Sequence, residues 1–286
     1  MDITNELIQA CNRDVNNVGI FIDFDNIYYS LRDYGINVED DDYCIFTLMN
    51  RIYTFNKIRT MRAYADYDQI KISFKKLQEK RVQIKNVYGN GREEEHRKNA
   101  SDIELSIDAL DAYYRNPNID TFIFITSDSD MIPIMSRLIF KGKKVHLYYI
   151  EDKVSHYQDI TGFCHVKHNL INLFKIESER LENSYWKNKA IEIIENWFAE
   201  PNNKAKMLGG KWLNDILSKD LFLPPKRVSE LIDYLVVEQL IEKETKNEKI
   251  SYKLKPKNAW QINKNGLLFL YLIRNKIFRG FFIQKN

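Results

Sequence analysis

Cysteine is scarce in this chain, which has three among its 286 residues, Cys11, Cys44 and Cys164. They lie far apart and show neither metal-ligand nor redox spacing, which argues against a disulfide-stabilised scaffold and against a cysteine-rich zinc site. A sparse, odd number of cysteines is typical of the reducing cytosol, and we therefore expect a cytoplasmic protein.

Long apolar runs and histidines are also few. No apolar run reaches the roughly 18–20 residues that span a bilayer. The first residues, MDITNELIQACNRD, lack the basic flank and apolar core of a signal peptide, and we expect no membrane partner.

Among the five histidines, His165 and His168 stand three apart beside Cys164. A zinc site there is a minor alternative, because zinc sites normally have four ligands.

The chain does have enough apolar sequence for a core, with 44% hydrophobic residues, and its charges are unevenly distributed. Residues 1–184 contain 24 Lys and Arg against 29 Asp and Glu, a net charge of −5. Residues 185–286 contain 19 against 11, a net charge of +8. The acidic half is suited to metal-binding carboxylates and the basic half to phosphate groups.

The first half alternates strand and helix patterns. Apolar runs predict five strands, at residues 18–23, 58–66, 82–89, 121–126 and 144–150. This order predicts an α/β domain, residues 1–176, with a parallel sheet covered by helices on both sides. The charged stretch NGREEEHRKNA predicts a loop, Ser101 the cap of the helix that ends at Arg115, and Gly142 a left-handed helix end.

The second half is mostly helical. The polar stretch ESERLENSYWKN predicts a linker over residues 177–188. Residues 189–286 then show three amphipathic helical patterns followed by a polar turn and an alternating strand, which is typical of a winged helix. The apolar tail GLLFLYLIRNKIFRGFFIQ predicts a final helix that packs on the body or on a second subunit, so a homodimer is one expectation.

Acidic side chains recur at predicted strand ends and helix starts. Asp23 ends the first strand, Asp128 and Asp130 follow the fourth, and Asp102 lies in the first turn of the helix before it. If the first and fourth strands are neighbours, all four meet at the edge where parallel sheets bind ligands. Such a cluster is costly unless a cation neutralises it. Oxygen ligands without Cys or His select Mg²⁺ or Mn²⁺.

Each acid also has a simpler explanation. Asp130 could cap the following helix, and Asp128 could be a solvated turn residue. Asp23 could form an ion pair with Arg62 or Lys85. The residue patterns alone leave these alternatives open.

The stretches IFIDFDNIYYSL, SDIELSIDAL and FITSDSDMIPIM, in this order and spacing, resemble the NYN domain family of PIN-like nucleases, and its LabA-like branch in particular. The resemblance covers roughly residues 16–170. It implies a three-layer sandwich with a central parallel sheet in the order 3-2-1-4-5. It also implies metal-dependent ribonuclease activity.

The resemblance assigns site residues motif by motif. The motif at the end of the first strand corresponds to Asp23 and Asn26, and the acid of the helix before the fourth strand corresponds to Asp102. The motif after the fourth strand corresponds to Ser127, Asp128 and Asp130, and a second aspartate that recurs in the family corresponds to Asp108. The family often has Lys-Gly-x-Asp at the helix acid, whereas this chain has KNASD, in which Lys98 stands one place early. The chain also has bulky Phe24 where a small residue is common in the family. Asp108 follows Asp102 by six residues, which places the two side chains about 120° apart on a helix. We therefore expect Asp108 to be structural or to support the ligands from behind.

These observations predict a divalent-metal-dependent endoribonuclease. Asp23, Asp102 and Asp128 would hold one or two ions, with Asp130 as a further ligand or behind them. Asn26 would hydrogen-bond a metal-bound water or the scissile phosphate, and Ser127 would orient a carboxylate. The substrate would be RNA, single-stranded or structured, with DNA as a second candidate. The alternative is a non-catalytic nucleic-acid-binding regulator with a structural acidic pocket, and a phosphatase or nucleotidase is a more distant one.

Basic side chains are the candidate nucleic-acid contacts. They are Lys98, Lys226, Arg227, Lys246, Lys249, Lys253 and Lys255. Contacts of this kind bind the phosphate backbone with little sequence discrimination. Two alternatives stay open, because winged helices also bind proteins and lysine runs are commonly solvated faces.

Overall fold

The computed structural model describes residues 15–70, 72–87, 94–203, 206–246 and 248–255, without the side chains of residues 94–100. The chain divides into two compact units, with the boundary between Arg180 and Leu181. Two predictions lie outside the described residues: the contacts of the Lys98 side chain and the final helix over residues 266–284. Among the described helices, none combines the length and the apolar character needed to cross a bilayer.

The first unit is built on a six-stranded parallel sheet. Its strands are β1 (Val18–Asp23), β2 (Ile58–Ala65), β3 (Gln83–Asn86), β4 (Thr121–Ile125), β5 (Lys144–Tyr149) and β6 (Val166–Asn169). They lie in the order β3-β2-β1-β4-β5-β6, which confirms the predicted order of the first five. The chain moves outward from β1 to β3 and then returns to β4 on the other side of β1. The pair β1 and β4 is therefore the point at which the strand order reverses, where open parallel sheets bind ligands.

Helices cover both faces of this sheet. They are α1 (Phe24–Asp33), α2 (Ile45–Tyr53), α3 (Phe74–Glu79), α4 (Glu94–Arg115), α5 (Ile132–Phe140) and α6 (Leu170–Leu173). Helices α4 and α5 pack with Phe21, Phe122 and Phe124 in one buried cluster. On the other face, the Tyr53 hydroxyl of α2 bonds to His146 and Tyr148 of β5. The side chains of a strand alternate between faces, and this alternation produces the predicted three-layer arrangement.

The helix before β4 is longer than the sequence predicts. Helix α4 begins at Glu94, so the predicted loop over residues 90–100 is wrong for its last seven residues. Glutamate, lysine and arginine are good helix formers, and a charged run does not by itself end a helix. Ser101 consequently lies inside α4 and is not its cap. The prediction for Gly142 is confirmed, because it follows α5 with a φ of +76°.

Strand β6 is absent from the predicted set. It is four residues long, at the edge of the sheet, and pairs with β5 along His146–Tyr149. A short edge strand needs only one apolar face, and Val166 is its single aliphatic residue, so its sequence carries little strand signal.

The second unit begins with α7 (Asn183–Ala199), which starts six residues before the predicted helix. It continues with β7 (Leu208–Gly209), α8 (Gly210–Leu221), α9 (Pro225–Val237), β8 (Ile241–Lys246) and β9 (Lys249–Leu254). The three strands form an antiparallel sheet in the order β7-β9-β8. A separate apolar core joins the three helices through Trp186, Ile194, Leu217 and Leu231.

Candidate metal centre

The carboxyl ends of β1 and β4 lie side by side, with Ile22 paired to Ile125. Asp23 ends β1 and caps α1, since its Oδ1 accepts a hydrogen bond from the backbone N–H of Asn26 at 3.3 Å. Its Oδ2 accepts a hydrogen bond from the Thr126 hydroxyl at 2.9 Å. Burial raises the pKa of Asp23 to about 7, and these hydrogen bonds oppose the rise only in part.

Thr126 connects the two strand ends. Its hydroxyl donates to Asp23 and accepts from the backbone N–H of Asp128 at 3.0 Å. Sequence reasoning assigned the orientation of a carboxylate to Ser127, and the structure corrects this by one position. The Ser127 hydroxyl donates to the carbonyl of Ile150 and accepts from the Ile150 N–H, which ties β4 to β5. Because strand side chains alternate, neighbouring hydroxyls at a strand end face opposite sides.

Asn26 joins the same strand ends through its side chain. Its Oδ1 accepts a hydrogen bond from the backbone N–H of Ser127 at 3.1 Å. The described residues include no partner for the Nδ2 amide of Asn26. This amide is therefore a donor held in a fixed position beside the carboxylates, as the predicted contact with a phosphate or a water requires.

Asp128 and Asp130 lie in a short 3₁₀ turn between β4 and α5. Asp128 caps this turn, and its Oδ1 accepts from the Asp130 N–H at 3.0 Å. The alternative in which Asp130 caps α5 is wrong, because Met131 is the cap residue and makes no side-chain cap bond. The side chain of Asp130 is left exposed.

Asp102 on α4 completes the cluster. Oxygens of Asp102, Asp128 and Asp130 all lie within 4.8 Å of one another. Asp102 is only 8% exposed, and burial followed by the charges of Asp23, Asp128 and Asp130 raises its pKa to about 8. Among the described residues, no lysine, arginine or histidine forms an ion pair with any of these four acids. Three of the four acids thus lie close together, and the charge of the fourth, Asp23, acts on Asp102.

Asp25 is a fifth acid at this edge that sequence reasoning did not select. Its Oδ2 accepts from the Asp66 N–H at 3.0 Å and from the Ser101 hydroxyl at 3.4 Å. Burial raises the pKa of Asp25 to about 6, and the charge of Asp66 adds to the rise. The signal was present in the sequence, because Asp25 stands between Asp23 and Asn26. Its contact with α4, however, joins residues far apart in the chain.

Asp108 has a different environment from Asp102 on the same helix. Its carboxylate forms ion pairs with Arg62 at 3.0 Å and Lys85 at 3.1 Å, and it accepts a hydrogen bond from the Tyr64 hydroxyl at 2.7 Å. Partial burial would raise its pKa, but these partners outweigh burial and lower it. Arg62 and Lys85 therefore neutralise Asp108, and the alternative in which they pair with Asp23 is wrong.

The histidine and cysteine cluster forms no metal site in the described part of the chain. His165 Nδ1 accepts from the Val145 N–H, and Cys164 Sγ contacts the Thr161 carbonyl. The ring of His168 lies 5.0 Å from that of Tyr148, and burial lowers the pKa of His168 to about 4. The one described group of three or more candidate ligands is Asp102, Asp128 and Asp130.

The donor set of the acid cluster fits a hard divalent cation. It consists of carboxylate oxygens, which Mg²⁺ and Mn²⁺ prefer. An ion would also offset the mutual repulsion that raises the pKa of Asp102. The edge position of Asp130 keeps the cluster open to a second, larger ligand.

The predicted basic contacts of the second unit differ in their exposure and in their ion pairs. Arg227 is not the exposed contact that the sequence predicts, since it pairs with Glu230 and donates to the carbonyl of Leu181. Lys246 and Lys253 share Glu244, and Lys255 is half-buried. Lys226 and Lys249 are exposed, and neither forms an ion pair with another described residue.

The comparison with protein families agrees with this architecture. A family model described as NYN domain matches residues 17–167, just over half of the chain. An uncharacterized protein of Methanocaldococcus jannaschii is 31% identical over 97 residues, which make up 33% of this chain and 38% of that protein. The match thus spans little more than a third of the relative. A crystal structure of a protein of unknown function from Vibrio parahaemolyticus matches 55% of this chain and 94% of its own, with a TM-score of 0.40 and 17% identity.

Proposed function

Because the chain belongs to the NYN domain family, we propose that it is a divalent-metal-dependent endoribonuclease that hydrolyses RNA phosphodiester bonds. One observation carries the proposal: oxygens of Asp102, Asp128 and Asp130 lie within 4.8 Å of one another, with Asp23 beside them and no described cation paired to any of them. Unneutralised carboxylates that lie close together destabilise the fold. A metal ion that neutralises them and also binds a phosphate explains the arrangement.

Asp102, Asp128 and Asp130 would hold the ion, which is Mg²⁺ or Mn²⁺. When bound, such an ion lowers the pKa of a water molecule and stabilises the charge that develops on a phosphodiester. Asp23 lies at the back of the cluster, where Thr126 and the start of α1 hold its carboxylate. It contributes negative charge and remains able to donate a lone pair.

The chain's own residues would position the substrate. The Nδ2 group of Asn26 is a hydrogen-bond donor, and the bond from the Ser127 N–H to Oδ1 of the same side chain holds it in place. It would hydrogen-bond a non-bridging oxygen of the scissile phosphate. Exposed Asp130 would accept a proton or a hydrogen bond from the incoming water, because its side chain lies on the open side of the cluster.

The second unit would bind the nucleic acid. Its order of elements, with three helices and a sheet β7-β9-β8, supports a winged-helix interpretation. Lys226 at the start of α9 and Lys249 on β9 are the exposed cations that support contact with a phosphate backbone. Arg227, Lys246 and Lys253 already form ion pairs with glutamates of the same unit, so we expect them to contribute less.

Cleavage of a short single-stranded RNA in the presence of Mn²⁺ tests the proposal. Asp128→Asn and Asp102→Asn are expected to reduce kcat/KM by about 100-fold or more. Asp111→Asn is the matched control on helix α4, because the one ion pair of Asp111 among the described residues is with Arg115 at the surface. Its activity is expected to match that of the wild type.

The non-catalytic alternative makes the opposite prediction. A regulator would bind RNA through its second unit without cleaving it, and calorimetric titration with Mn²⁺ would show no binding that depends on Asp128. Full cleavage activity in both Asp128→Asn and Asp102→Asn would refute the proposed nuclease site.

A further inference from the structure

An exposed aromatic ring lies on helix α1, which begins directly after Asp23 at the acidic edge of the sheet. Tyr29 is 44% exposed on α1, whereas Ile27, Ser30 and Leu31 around it are buried. It follows Asn26 by three residues, so the two side chains lie on the same face of the helix, one turn apart. Helical side chains lean toward the N-terminus of their helix. The ring therefore leans toward the end of α1 that carries the site residues.

The charge of Asp25, which lies at the same edge of the sheet as the acid cluster, acts on this ring. Partial burial and the negative charge of Asp25 raise the pKa of the Tyr29 hydroxyl, with a smaller contribution of the same sign from Asp66. The positive charge of Arg32 acts in the opposite direction. Tyr29 thus lies within electrostatic reach of Asp25 at the acidic edge of the sheet and of the Arg32 guanidinium.

A neighbouring ring supports Tyr29 without stacking on it. The Tyr28 ring lies 5.2 Å away at an interplanar angle of 85°, an edge-to-face contact. Tyr28 in turn contacts buried Phe24 and lies 5.8 Å from the Arg32 guanidinium. An edge-to-face contact holds a ring in place while leaving ring surface available for a second aromatic group.

We propose that Tyr29 is a substrate-positioning residue that stacks on a nucleobase of the substrate next to the phosphate attacked at the acid cluster. The inference rests on the proposed nuclease function and adds a base-binding position to it. Stacking is tolerant of sequence, since every nucleobase has a π-face. It fixes the backbone of the adjacent nucleotide, which aligns the scissile phosphate with the Asn26 amide.

The test measures kcat/KM in Mn²⁺ for Tyr29→Ala and Tyr29→Phe on a short single-stranded RNA. Tyr29→Ala is expected to lose about tenfold, which corresponds to about 1.4 kcal/mol and lies within the range for base–aromatic stacking. Tyr29→Phe keeps the ring and is expected to stay within about twofold of the wild type. Phe140→Ala is the matched control, because Phe140 is an exposed aromatic residue at the far end of α5.

A second arm replaces one nucleotide at a time by an abasic ribose. For the wild type, one position beside the cleaved bond is expected to lose about tenfold in kcat/KM. The same substitution is expected to cost Tyr29→Ala nothing further, because the ring and the base are two halves of one contact. Unchanged Mn²⁺ binding by Tyr29→Ala, measured by calorimetry, would show that the acid cluster is intact.

The outcomes separate the two proposals. If wild-type protein cleaves RNA, Asp128→Asn does not, and Tyr29→Ala equals the wild type, the stacking role is refuted and the nuclease function stands. Additive losses from Tyr29→Ala and the abasic position also refute it, because the ring then acts elsewhere. If wild-type protein neither binds Mn²⁺ nor cleaves RNA, the nuclease proposal fails and the stacking role falls with it.

Discussion

Substitution Asp102→Asn removes one negative charge from the acid cluster while keeping the size of the side chain. In the folded protein, burial and the charges of Asp23, Asp128 and Asp130 raise the pKa of Asp102 to about 8, against 3.8 for the ordinary group. A group whose folded pKa is raised stabilises the fold at low pH, and this stabilisation is lost as the pH rises through the folded pKa. Without a metal, Asp102→Asn is therefore expected to be more stable than the wild type at pH 8.

The size of the effect follows from the pKa of Asp102. When the pH rises from 5 to 8, the titration of Asp102 lowers the free energy of unfolding of the wild type by about 4 kcal/mol, at about 1.4 kcal/mol per pH unit. Water penetration and relaxation around the site reduce this to about 2 kcal/mol. For a unit of this size, 2 kcal/mol raises the melting temperature by about 4–8 °C.

The assay is thermal unfolding of the full chain with EDTA, for the wild type and Asp102→Asn, at pH 5 and pH 8. Most of the advantage of the variant is expected to disappear at pH 5, where the wild type is protonated at Asp102. Burial lowers the pKa of His146 and His168 to about 4, so both destabilise the fold at acid pH. They do so equally in the two proteins, and the comparison cancels their effect.

Asp108→Asn is the control on the same helix. It removes ion pairs with Arg62 and Lys85, and the lowered pKa of Asp108 means that these stabilise the fold throughout this pH range. Asp108→Asn is expected to lower the melting temperature at both pH values. A loss of stability at pH 8 in Asp102→Asn would refute the reasoning, because it would show that ionised Asp102 is favourable in the fold without a metal.

Three further predictions concern other parts of the chain. Thr126→Val removes the hydroxyl that joins Asp23 to Asp128 and is expected to cost about 1–3 kcal/mol in urea unfolding and to weaken Mn²⁺ binding, whereas Thr126→Ser retains both. Lys226→Glu is expected to weaken RNA binding and to reduce the slope of log K against log salt by about 1–2, whereas Arg227→Gln lowers the stability of the second unit. Removal of metal with EDTA is expected to abolish RNA cleavage, and added Mn²⁺ to restore it.

The fold was largely predictable because its signals are local. The runs at residues 18–22 and 122–125 are apolar throughout, which is typical of strands buried on both faces. Their order with the helices predicts a parallel sheet, and acids at the ends of two such strands predict the edge of the site. Strand β6 was not predicted because a short edge strand has only a weak apolar pattern. The start of α4 was not predicted because its charged residues are equally compatible with a loop.

The detail of the site was less predictable, because it depends on contacts between distant residues. The sequence does not show which of Thr126 and Ser127 faces Asp23, since this depends on the register at the end of β4. Asp25 is close to Asp23 in sequence, but its contact with Ser101 exists only once α4 crosses the sheet. Arg62 and Lys85 are candidate partners of Asp23 in the sequence, but in the fold both pair with Asp108.

Helix α4 therefore carries two aspartates whose loss has opposite effects on the stability of the fold. A descendant released from selection for its activity would gain thermostability by losing Asp102, and that change would be favoured or neutral. Losing Asp108 would weaken the fold in the same descendant, so this position would be retained. Among relatives of this chain, the ratio of losses at the two positions would distinguish lineages that still use the acidic edge from lineages that keep only the scaffold.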